Sequence, residues 1–212
     1  MIGDSGPSSA RPSDAESDWL IALPLRVPPV TLVRGTLLVA SREQLRAIGA
    51  FDRYAEALAP EPRSALASLI SASWAPIELA HAHFTAVETL GIDLATIEAN
   101  TGATAKKLNG MLISAVGKAA RASGATPVAA VRLLHTLWVR VFTGGAIGMK
   151  QAGPKEIMVI VSGHPLLAYR YHRTGLRVYL THAVGMLSER AYVREQAYKP
   201  AAHELTLRVQ WV

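Results

Sequence analysis

Glu78, His81 and His83 are the first residues whose types and spacing could do chemistry. A carboxylate and an imidazole three residues apart share one helix face and can chelate a metal ion. A di-metal bundle needs a second Glu-x-x-His, and the chain has none. His81 and His83 project about 200° apart on a helix, so both cannot serve one ion. These three residues are expected to form the polar edge of a packed helix, with no metal site. His135, between Leu134 and Trp138, could be an axial haem ligand, because a neutral imidazole donates well to iron. The plainer reading is a buried, hydrogen-bonded core histidine. Tyr169, Arg170, Tyr171, His172 and Arg173 make the densest aromatic and basic patch. Arginine beside aromatic rings can hold an acidic head group while the rings cover an apolar body. The competing reading is core tyrosines with arginines reaching to water. Thr143 to Lys150 has the glycines of a phosphate loop, but it follows a helix and Met149 separates Gly148 from Lys150. It reads as a helix cap and loop. His164, His172, His182 and His203 assemble into no triad, and no Gly-x-Ser-x-Gly is present. No catalytic residue is therefore assigned.

The elements that must position these residues begin after a tail. Residues 1–18 are rich in Ser, Pro, Gly and Asp and read as a disordered acidic tail. Residues 19–30 form a proline-studded apolar arm, expected to pack extended along the surface. Val30 to Ala40 reads as the first strand. Ser41 is the expected N-cap of a helix over 42–58, with Gln44 in the capping-box position. Helical periodicity then runs to about residue 142. Pro62 starts one helix, Pro76 restarts another that ends at Gly91, Asp93 starts a short third, and 104–122 form a fourth. Thr126-Pro127 opens a helix carrying Val131, Leu134, Trp138 and Val141 on one face. Glu156 to Ser162 is apolar on both faces and reads as a central strand. Gly163-His164-Pro165 turns into a long helix striped by Tyr169, Leu176, Leu180, Val184 and Leu187. Ala191–Tyr198 and Glu204–Val212 pair as a hairpin, the second alternating apolar Leu205, Leu207, Val209 and Trp211 with polar residues. Residues 31–212 are thus one α+β domain. Five to six helices form a layer on a small, mainly antiparallel sheet, with a C-terminal strand-helix-hairpin unit.

Composition narrows the class. Cysteine is absent, which removes disulfides, thiolate metal sites and cysteine nucleophiles and fits a reducing cytoplasm. The first residues lack the basic start and apolar core of a signal peptide. Trp19 to Ala40 is broken by two arginines and three prolines, so no membrane span is expected. Residues 1–18 carry four acids and Arg11, a net of −3, which leaves +9 on the rest of a chain whose total is +6. A basic body suits an acidic partner, but the arginines from Arg121 to Arg208 are scattered, so nucleic acid is not the expected partner.

The strand with Arg34-Gly35, the helices around Trp74-Ala-Pro76, Gly175 inside the long helix and the closing Leu-x-Val-x-Trp carry a resemblance. Together they resemble a family of unknown function known mainly from myxobacteria. That family is more distantly similar to 4-vinyl-reductase-type domains, haem-NO-binding domains and subunits of vesicle-tethering complexes. The resemblance implies an apolar or tetrapyrrole-like ligand held between helices and sheet, and a homodimer. Two departures stand out. The hairpin lacks the cysteines of the 4-vinyl-reductase type, and Tyr169-Arg-Tyr-His-Arg173 does not match the Tyr-x-Ser-x-Arg of the haem-binding type.

The expected function is a non-catalytic cytoplasmic sensory or regulatory domain for an apolar small molecule. Trp74, Phe84, His135, Trp138 and Tyr169 are the candidate cavity residues, with Arg170 and Arg173 as polar contacts. No cofactor is expected. The second reading is a protein-interaction adaptor with a filled core and a basic face for an acidic partner. The third is a haem or tetrapyrrole protein using His135 or His172.

Overall fold

A computed structural model describes residues 18–103 and 126–212. The arm opens with a short strand, β1 (Trp19–Ile21), bends at Leu25 and Arg26, and continues into β2 (Leu32–Arg34). Helices α1 (Gly35–Ala47), α2 (Phe51–Ala57) and α3 (Pro60–Ser68) follow. Then come β3 (Trp74–Pro76), α4 (Ile77–Thr89) and α5, helical over 94–103. The second half holds α6 (Pro127–Val141), β4 (Phe142–Thr143), β5 (Ala146–Gly153) and β6 (Glu156–Ser162). A 3-10 turn at Pro165–Ala168 leads to α7 (Arg170–Gly185), and β7 (Ala191–Lys199) and β8 (Glu204–Trp211) close the chain. Five strands make an antiparallel sheet in the order β1-β5-β6-β8-β7, and β3-β2-β4 make a smaller one.

The helices cover one face of the large sheet. Ile157, Val159 and Val161 of β6 and Leu205, Leu207 and Val209 of β8 are buried there, in contact with the layer that includes α6 and α7. Each such side chain contributes about 1.5–3 kcal/mol on burial. A surface ion pair is worth about 0–1 kcal/mol, so the inward stripe and not the outer charges fixes the register. The α+β class, the hairpin and the central place of β6 agree with the sequence reading.

Three assignments change. The expected strand Val30–Ala40 is a strand only to Arg34, because Gly35 turns the chain into α1. A Cβ at Gly35 would stand 2.2 Å from the Ile70 carbonyl oxygen, and the Gly35 amide donates to Ser73. Leu38, Ser41, Arg42 and Leu45 then share the buried helix face. Ser41 therefore lies inside α1 and is not its cap, and Gly49, at φ +67, separates α1 from α2 where one helix was expected. Thr143 to Lys150 is not a loop. Gly144 and Gly145, at φ +91 and +62, form a tight turn from β4 into β5. The alternation of β5 is disguised by Gly148 and Lys150 on its outer face. The expected helix over 104–122 lies outside the described residues, as does most of the acidic tail.

The arm is seated on glycines. A Cβ at Gly144 would meet the Pro29 carbonyl oxygen at 2.2 Å, one at Gly163 would meet Val27 at 2.7 Å, and one at Gly148 would meet Leu23 at 2.7 Å. Backbone bonds from Gly145 to Pro28 (2.7 Å) and from Val30 to Gly163 (2.8 Å) fix it there.

Candidate functional site

Where helices meet sheet, two histidines face each other. His164 follows β6 in the turn before Pro165, and His172 lies in the first turn of α7; their Nε2 atoms are 2.7 Å apart. One ring donates and the other accepts, and both are held neutral. Burial is the main cause: it pushes His172 down to about 3, with the Arg173 charge adding to it, and His164 well below the usual imidazole range. Phe84 of α4, Trp138 of α6 and Phe142 of β4 close round the pair with ring centroids 4.6–5.1 Å away. His164 Nδ1 is buried without a hydrogen-bond partner among the described residues.

A second polar chain threads the helical layer. The Tyr54 hydroxyl lies 2.7 Å from His83 Nδ1, and His83 Nε2 lies 2.9 Å from Ser41 Oγ. His83 is wholly buried, and its pKa falls to about 3, chiefly through burial and then the Arg42 charge. The order hydroxyl, imidazole, hydroxyl has the outline of a nucleophile relay. Ser41 is buried in mid-helix, so no substrate carbonyl reaches it, and the chain acts as core structure. Nearby, the Tyr171 hydroxyl donates to Gln44 Oε1 at 2.9 Å, and the Glu88 carboxylate caps α7 by accepting the Tyr171 amide at 2.7 Å.

The predicted residues separate into two groups. Phe84 and Tyr169 stack at 5.8 Å, and Trp138 joins them through the two histidines, its indole donating to the Gly144 carbonyl. Trp74 instead lies outside, 38 % exposed, under the Arg34 guanidinium at 4.2 Å. His135 is on the exposed side of α6, which overturns its reading as a core histidine. Arg170 donates to the Ile92 carbonyl, and Arg173 to those of Leu167 and Ala168. His81 bonds the Tyr169 hydroxyl at 2.9 Å, while His83 points the other way, as helical geometry requires. Among the described residues no three His, Asp or Glu side chains are placed to hold a metal. The sequence reading gave Ser41 and Gln44 only a capping role and did not pair His164 with His172, since only the packing of the helices and the turn after β6 brings these residues together.

Among the described residues, room for a ligand lies beside this core. A groove of about 380 Å³ runs between α5, α7 and β7. Val178, Ala191 and Val193 supply its apolar part, and Glu98, Arg177, Thr181 and Arg194 are among its polar groups. Arg177 is ion-paired with Glu98 across it.

This architecture, helices over one face of an antiparallel sheet that ends in a strand-helix-hairpin unit, is that of the haem-NO-binding fold. A structure solved in a study of haem distortion in the H-NOX family superposes with a TM-score of 0.57 at 12 % identity, over 84 % of this chain and 94 % of its own. One from work on haem redox potential and porphyrin distortion gives 0.54 at 12 %, covering 84 % and 99 %. A Cs H-NOX mutant carrying 4-cyano-L-phenylalanine gives 0.54 at 13 %, covering 84 % and 96 %. At such identities the likeness is one of fold. No family model and no curated protein matches the chain.

Proposed function

We propose that this chain is a non-catalytic sensory or regulatory domain that binds a small amphipathic molecule between helices and sheet, in the groove of α5, α7 and β7. The observation that carries this reading is the groove itself. Its volume falls within the roughly 300–1,000 Å³ of small-molecule sites, and its lining pairs an apolar wall with a few polar groups. An apolar body would lie along Val178, Ala191 and Val193, with a polar group toward Thr181. A homodimer in the cytoplasm belongs to the same proposal.

Haem is the group that the neighbours' fold suggests, and the histidine pair does not fit it. A porphyrin space would leave accessible surface on its walls, yet Phe84, Trp138, Phe142, His164 and His172 are each at most 6 % exposed. Arg170 and Arg173, the candidate partners for acidic groups, are engaged with backbone carbonyls. The same filled core favours the adaptor as the second reading.

Native mass spectrometry with an absorbance spectrum, on protein purified gently from its own host, tests the proposal. The expected result is an added mass, lost on denaturation, without a Soret band. That mass should be missing from a folded Thr181→Trp variant, which blocks the groove. A Soret band, or an adduct that survives in Thr181→Trp, would overturn the groove assignment; a bare chain in both would shift the reading to the adaptor.

A further inference from the structure

Strand pairing brings scattered cations into one line. Lys150 of β5 is opposite Met158 of β6, Met158 is opposite Arg208 of β8, and Arg208 is opposite Arg194 of β7. Directly paired residues share a face, so all four side chains stand on the face of the sheet away from the helices. Arg194 and Arg208 are like charges side by side, an arrangement that disfavours the pair unless something neutralises it. Glu156 holds Arg208 at 2.8 Å, and Asp18 approaches Lys150 at 3.9 Å. Among the described residues no carboxylate pairs with Arg194. The next row sets Gly148, Ile160 and Thr206 beside this one, and the arm's Trp19 and Leu23 lie over Gly148. Met158 and Ile160 form a half-buried apolar centre over which no helix among the described residues lies.

We propose that this outer face docks an acidic segment of a partner protein. The partner would set one carboxylate on Arg194 and another on Lys150, about 14 Å away at the usual strand spacing. The Asp18 contact is long and lies between exposed side chains, so a competing carboxylate can displace it. Apolar residues of the partner would cover Met158 and Ile160. Methionine and arginine with nearby Tyr192, which is 44 % exposed, are residue types enriched in protein interfaces. With Asp18 and Glu156 counted, the row is only +1, and its two carboxylates would repel a phosphate backbone. Nucleic acid, which is held by many cations, is therefore the poorer fit.

Fluorescence anisotropy with a labelled glutamate–leucine copolymer, run beside duplex DNA on the full chain at low and high salt, decides the matter. The expected result is salt-sensitive binding of the copolymer that weakens about tenfold in Lys150→Glu and in Arg194→Glu. Arg132→Glu, on the exposed side of α6, removes the same charge elsewhere and should leave binding within about twofold. Circular dichroism on all three variants checks that they are folded. Lys150 lies outside the small-molecule groove, so its variant separates the two sites. No binding by the unaltered chain, equal loss in all three variants, or equally tight DNA binding with the same dependence would each overturn the proposal.

Discussion

Histidine chemistry at the residue scale makes the fold sensitive to acid. His83 and His172, each lowered to about 3, and His164, lowered well below its usual range, are buried and neutral. Only the unfolded chain can protonate them near the ordinary value of about 6.5, so it binds more protons below that pH. Stability should therefore be full above about pH 6.5 and fall progressively toward pH 3. Urea midpoints measured at several pH values check this, and the slope should flatten in a His164→Phe/His172→Phe double variant. Tyr54→Phe removes one end of the Tyr54–His83–Ser41 chain and leaves His83 Nδ1 buried without a partner. The expected loss is about 1–3 kcal/mol by denaturant titration. None of this was legible in the sequence. Histidine 83 is two residues from His81, yet its partners lie 29 and 42 positions away, and no local pattern encodes them.

Elements were legible where one face alone was buried. The stripe of α6 and the alternation of β8 were read as they stand, because a single period decides which side faces the core. The failures came where tertiary contact overrode a local signal. Val30 to Ala40 has the composition of a strand, yet the chain turns into a helix at Gly35, where the Ile70 carbonyl comes too close for any larger residue. Gly148 and Lys150 hide the period of β5 because the arm, not a helix, lies over Gly148. Two substitutions of glycine by alanine should consequently have opposite signs. Gly144→Ala clashes with Pro29 at a left-handed φ and should cost about 2 kcal/mol or more. Gly175→Ala, inside α7 with open space around the new methyl group, should stabilise by about 0.5–1 kcal/mol. Thermal midpoints of the two variants check both.

At the scale of the whole molecule, the helices and the sheet meet across a core without room at the histidine pair, while a groove and the outer face of the sheet remain outside it. The class of fold could be read from the order of elements, but the site could not. Phe84, Trp138 and Tyr169 were read as cavity walls and instead fill the space with one another and with His164 and His172. The groove draws on α5, α7 and β7, three segments that share no motif. Removing residues 1–30 should destabilise the domain, since β1 and the seated arm go with them, and differential scanning calorimetry would show a lowered midpoint.

The pairing of Trp19 with Lys150 also sets a timetable for synthesis. The two residues are 150 − 19 = 131 positions apart. At about 5–20 residues per second a ribosome adds that length in roughly 7–26 seconds. The arm emerges first and has no seat until the last third of the domain follows it. Leu20, Ile21 and Leu23 must stay in water, or on a chaperone, for that interval. Pro24, Pro28 and Pro29 lack the amide hydrogens that a premature strand partner would need, so they keep the waiting arm from pairing with the wrong edge.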